Sequence, residues 1–253
     1  MNSFTQDPIT LVLALLGGLV PAYLWLRFWL KEDRERPEPK GLLFLTFAGG
    51  TLAVILVLPI QKWIANFPYD QTTLLVLWAA AEEILKFLAV FFLVFASQYL
   101  DEPVDYPIYF ITAGLGFAAL ENTLFLIHPV GLQDTTVSLL TGSLRFLGST
   151  LLHAVASGFI VLLMGLAFFH GKFVKFLSFL VGIGLAIALH STFNYFIMKN
   201  DGEDFLQVFA FLWVVTIISM LVFEKLRRLS EPLYLRDTKV SDMSLGRPYA
   251  QFK

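Results

Sequence analysis

A small set of polar side chains stands out because everything around them is apolar. Glu82, Glu83 and Lys86 share one long apolar run, Glu121 lies beside Asn122 in the next, His153 sits in a third, and His190 with Asn194 in a fourth. A charge at mid-bilayer costs about 2.5–3.5 kcal/mol on insertion scales, so several left uncompensated amount to roughly 10 kcal/mol. That matches the whole stability of a typical fold. These groups must therefore face one another or water.

Their spacing adds chemistry. On a helix Lys86 reaches Glu82 at i,i+4 or Glu83 at i,i+3. Adjacent glutamates point about 100° apart, so one can be paired while the other faces a cavity and acts as a general base on water. His190 and Asn194 stand at i,i+4 on one face, and both can donate hydrogen bonds to a developing oxyanion. Two histidines and one or two glutamates (His153, His190, Glu82, Glu121) could equally hold a divalent metal such as zinc, which in catalytic sites takes three protein ligands and a water. The residue types leave open whether one metal or no cofactor is needed. No HExxH motif is present.

The elements that must position these groups are long apolar helices. The chain of 253 residues is 57% hydrophobic and only 15% charged, with a mean hydropathy of +0.71. A soluble domain is nearer ~45–50% apolar and ~25% charged, so lipid is the expected solvent. A span needs roughly 20 apolar residues. That ruler predicts an all-α, polytopic transmembrane bundle of about seven spans, near 9–30, 41–60, 72–98, 108–128, 143–169, 174–197 and 205–224. Polar connections rich in Pro and Gly, such as Phe67-Pro68-Tyr69-Asp70 and Asp101-Glu102-Pro103, separate them. Gly114, Gly116, Gly182 and Gly184 are expected at close helix contacts. Residues 1–229 form one expected domain, and 230–253 a polar cytosolic tail with no apolar period.

The first apolar run has Asp7 before it and Lys31, Arg34 and Arg36 after it, the reverse of a signal peptide, so it is expected to be retained. Lysines and arginines cluster in the first and fifth loops and after the last span, which puts the N-terminus outside and the C-terminus in the cytoplasm of a multi-pass plasma-membrane protein. With that orientation Glu82, Glu121, His153 and His190 fall within about 5 Å of one another in depth, some 10–15 Å below the outer surface. Four helices of alternating direction thus bring their costly groups to one layer. Arg145 and His128 sit at the interface and read as anchors. The net charge of −2 gives no hint of a nucleic-acid partner, and the absence of cysteine excludes disulfides, thiolate zinc sites and thiol nucleophiles.

Glu82-Glu83-x-x-Lys86, Phe117-Ala118-Ala119-Leu120-Glu121-Asn122, the lone His153 and His190-x-x-x-Asn194 together resemble the PrsW family of intramembrane proteases. The stretch Pro21 to Pro39, with Leu24-Trp25 and Asp33-Arg34, looks like that family's first helix and loop. The resemblance covers nearly the whole chain except the tail, one motif per helix in order. The family is similar to the wider Abi/CAAX protease group, whose pattern is a Glu pair followed by Arg, then FxxxH, then HxxxN. The resemblance implies that Glu82 is the base and that His190 with Asn194 forms the oxyanion site. Here the Phe117 motif ends in Glu121 and not His, which makes His153 the candidate for the second water-activating role. It also implies a substrate: a membrane-anchored, single-span regulator such as an anti-sigma factor, cut near the outer face. Abi-type chemistry runs without metal, whereas this family is often labelled a metalloprotease.

Three other readings fit some of these residues: a structural salt-bridge network, a proton- or ion-coupled transporter with a Glu-Lys-His pathway, and a non-catalytic binder of peptides or prenyl groups. The transporter would favour inverted repeats and a polar line across the bilayer. The sequence has no such repeat, and its polar groups share one layer.

Overall fold

The computed structural model describes residues 8–31, 37–127, 135–198 and 205–244. Every regular element among them is a helix: α1 (Pro8–Leu30), α2 (Lys40–Ile64), α3 (Gln71–Val94), α4 (Asp105–Ile127), α5 (Thr135–Leu166), α6 (Lys172–Met198) and α7 (Phe205–Ser244). Six of them contain segments long and apolar enough to cross a membrane. The exception is α3, whose 24 residues include Glu82, Glu83 and Lys86. At 1.5 Å per residue it is still about 36 Å long, and its charges are buried inside the bundle. The protein is a multi-pass helical membrane protein. Its outer surface is apolar, with Phe92, Phe44 and Phe173 more than 70% exposed.

The pillar of the bundle is α4. It packs against α1, α2, α3 and α5, and nearly every residue from Asp105 to Ala119 is buried. Over that stretch the helix has no lipid face. α5 in turn packs on α6 and α7, while α3 lies between α2 and α6. Close approach depends on missing side chains. A Cβ on Gly50 would strike the Ala113 backbone carbonyl, and one on Gly116 would strike that of Phe47. The Thr51 hydroxyl donates to the Gly116 carbonyl across the same crossing at 3.1 Å. Gly114 and Gly182 are likewise at contacts, against α5. Gly184 is not, because it points to open space on the exposed face of α6.

Several helix ends differ from the sequence expectation. α2 does not stop near residue 60 but continues through Pro59 to Ile64, which brings Gln61 into the helix. Pro59 lacks only one N–H, and the neighbouring turns hold the helix. α7 extends to Ser244, well into the stretch expected to be an irregular tail. Once a span has nucleated a helix, each added residue gains a hydrogen bond without a new nucleation cost. His128 lies outside the described residues, as does the side chain of Arg145.

The link from α3 to α4 carries a buried acidic group that composition did not flag. Glu38, Glu102 and Asp105 are all buried. Asp105 Oδ2 accepts the backbone N–H groups of Asp101 at 2.9 Å and Glu102 at 2.6 Å, closing the start of α4. The Tyr109 hydroxyl donates to the Glu38 carboxylate. Burial pushes the Glu38 carboxyl above its usual range, against the hydrogen bonds from Asp105 and Tyr109 that pull it down.

Candidate active site

The polar residues of α3 to α6 meet in the middle of the bundle. Glu82, Glu83 and Lys86 occupy successive positions on the buried side of α3. The Lys86 ammonium donates to Glu83 Oε1 at 2.6 Å and faces His153 Nδ1 at 3.0 Å. It also lies 4.8 Å from the centre of the Phe117 ring. From α5, His153 Nε2 meets Glu121 Oε2 of α4 at 2.6 Å, and Ser149 donates to the same oxygen at 3.3 Å. From α6, His190 Nδ1 meets Glu83 Oε1 at 2.8 Å, and its Nε2 is 3.5 Å from Glu82 Oε2.

These contacts fix protons. An ammonium has donors only, so His153 Nδ1 accepts from Lys86, and its Nε2 carries the proton given to Glu121. A carboxylate accepts only, so His190 Nδ1–H donates to Glu83, and its Nε2 faces Glu82 Oε2. The two imidazoles stand edge to face with centroids 5.0 Å apart. Hydrogen bonds thus run from Ser149 through Glu121, His153, Lys86 and Glu83 to His190, whose Nε2 stands 3.5 Å from Glu82 Oε2.

Glu82 differs from its neighbour. Oε2 is buried without a hydrogen-bond partner in both, but the Oε1 of Glu83 is held by a lysine and a histidine while the Oε2 of Glu82 lies 3.5 Å from His190 Nε2. Its other oxygen, Oε1, accepts from Gln61 Nε2 of α2 at 2.7 Å. A buried, unsatisfied carboxylate oxygen costs about 1–3 kcal/mol or more. Asn194 lines a cavity of about 50 Å³ with Glu121, Asn122, His153 and His190, enough room for a water. Asn122 is turned away from that chemistry and donates to the Thr150 hydroxyl at 2.9 Å.

All seven expected site residues are therefore neighbours in one cluster. Gln61 was missed. It carries no charge, and its helix appeared to end one residue earlier; the usable signal was an amide following a long apolar run.

Single ligand atoms of Glu82, His153 and His190 lie within 4.8 Å of one another, a group able to hold a metal ion. Glu82 Oε2, without a hydrogen-bond partner, and His190 Nε2 face each other at 3.5 Å, where both can turn a ligand atom toward a cation. Glu83 on the other nitrogen of His190 is the usual partner behind a metal-bound histidine. His153 offers a nitrogen only when its contact with Lys86 or Glu121 opens.

A multi-pass helical membrane protein with a buried Glu/His group is thus defined by fold and site. The sequence model of the PrsW family of intramembrane metalloproteases matches residues 38–222, and the chain belongs to that family. Proteins named Protease PrsW are similar to it along most of their length. The one from Shouchella clausii is 27% identical over 87% of this chain and 98% of its own, and the one from Oceanobacillus iheyensis 28% over 81% and 92%. One from Geobacillus kaustophilus is 31% identical, but over 44% of this chain and only about half (51%) of its own length. No solved structure matches the chain. The protein is an intramembrane protease by family.

Proposed function

We propose that the protein hydrolyses a peptide bond of a membrane-anchored protein, a single-span regulator such as an anti-sigma factor, with the Glu82 carboxylate as the base. Residues 1–229 act as one catalytic unit in the plasma membrane, N-terminus outside, and the cut falls in the outer half of the bilayer. The observation that carries this reading is the buried, unpartnered Glu82 Oε2 facing His190 Nε2 at 3.5 Å.

Glu82 Oε2 takes the proton of the attacking water and returns it to the leaving amine. Glu83 and Lys86 hold His190 and His153 in single tautomers and supply fixed charges around them. Asn194, one turn along α6 from His190, donates its amide to the oxygen on which negative charge develops. Glu121 sets the orientation of His153. Were a divalent ion such as zinc present, Glu82, His153 and His190 would hold it, and Glu82 would then serve as its ligand in place of base. When bound, such an ion lowers the pKa of water and polarises the scissile carbonyl.

The test is cleavage of a panel of single-span membrane peptides by purified protein in detergent. Wild type is compared with Glu82→Gln and His190→Ala, with and without a chelator. Cutting by wild type that both substitutions abolish is the expected result, and chelator sensitivity reports the metal. Undiminished cutting by Glu82→Gln would end the reading of Glu82 as base.

A further inference from the structure

We infer that Gln61 is a positioning residue that fixes which oxygen of Glu82 faces the reaction, a role that rests on the reading of Glu82 as the base. A terminal carboxylate turns almost freely about its last torsion, so two chemically equal oxygens would exchange places between His190 and the α2 side. Here they are not equal. The Gln61 amide nitrogen, which can only donate, sits 2.7 Å from Glu82 Oε1. The remaining oxygen is left without a partner, 3.5 Å from His190 Nε2.

Gln61 is itself anchored. The Trp78 indole N–H donates to its backbone carbonyl at 3.2 Å. Trp78 and Glu82 stand at i,i+4, so successive turns of α3 grip this one residue of α2 from the same face. The hairpin between the helices is closed as well: Asp70 caps α3 by accepting from the backbone N–H groups of Thr72 and Thr73, and Thr73 adds its hydroxyl at 2.6 Å. The lateral position of Gln61 is therefore set before any substrate arrives. A half-buried amide near the end of an otherwise apolar helix has no packing advantage over methionine. Its value lies in the hydrogen bond.

The test compares wild type, Gln61→Met, Trp78→Phe and Glu82→Gln in detergent by steady-state cleavage and infrared spectroscopy. Met keeps the length of the side chain and loses the donor. Gln61→Met is expected to lower kcat about 100-fold, the usual cost of a reacting group held out of place, with KM unchanged. Trp78→Phe is expected to lower kcat less, in the same direction. The carboxylate stretching band that vanishes in Glu82→Gln is expected to shift in Gln61→Met. That shift is something a purely structural role would not produce. Wild-type kcat in Gln61→Met, or a fall in kcat with that band unmoved, overturns the inference. Should Glu82→Gln itself remain active, the assignment of Glu82 as base fails along with the positioning role. That failure is told apart because it appears without any change at Gln61.

Discussion

Replacing Lys86 by Met is expected to destabilise the protein by about 3–5 kcal/mol, the cost of leaving a buried charge without its partner. The side chains of Lys86 and Glu83 are both fully inaccessible, and they meet at 2.6 Å. Methionine keeps the volume of the lysine stem, so packing changes little and the loss is electrostatic. What remains is a Glu83 carboxylate whose Oε2 already lacks a partner and whose Oε1 keeps only the His190 N–H. In equilibrium terms this is roughly two to nearly four powers of ten. The assay is reversible unfolding in mixed detergent micelles, read by tryptophan fluorescence. Lys86→Met combined with Glu83→Gln removes both charges and is expected to recover at least half of the lost stability. Activity should not return with it, because His153 has lost the donor that fixes its tautomer. A single-variant cost below about 1 kcal/mol, in the range of an exposed pair, would refute the argument. So would strict additivity in the double variant, since contacting residues in one network must couple.

Gly116→Ala is expected to destabilise by about 1–3 kcal/mol, because its Cβ meets the Phe47 carbonyl at the α2–α4 crossing. Gly184→Ala, facing open space, should cost nothing in the same unfolding assay. The buried Glu38 carboxyl binds its proton more tightly folded than unfolded. Stability from this group is therefore full below the ordinary glutamate pKa of about 4.3 and is lost as pH rises through the higher folded value. Unfolding measured across that window should lose this slope in Glu38→Gln.

The polar layer could be read from the sequence because lipid makes charges conspicuous. Glu82, Glu83, Lys86, Glu121, His153 and His190 interrupt apolar runs, and helical rise alone puts four of them at one depth. Pairing was only partly legible. The i,i+3 choice of Lys86 for Glu83 over Glu82 depends on His153 reaching the same ammonium from another helix, and no local spacing encodes that. Gln61 is neutral and stands one residue past the expected end of its span at residue 60. Glu38, Glu102 and Asp105 lie in polar connections, where acids are expected and burial is not. Gly184 shares its residue type with Gly182 but sits on the other side of α6, a difference that only the packing partner decides.

The enclosure of α4 has a consequence for how the protein is made. Helices enter the membrane in chain order, so α4 can first be covered only by α1, α2 and α3, the partners that precede it. Until α5 emerges, the side of α4 bearing Gly114 and Glu121 meets lipid, and Glu121 has neither His153 nor Ser149 to bind. Glu83 waits longer still, since His190 arrives only with α6. The proposed hydrolytic centre is consequently absent from every nascent chain shorter than six helices. A truncation before α6 leaves Glu82 and Glu83 in the membrane without His190.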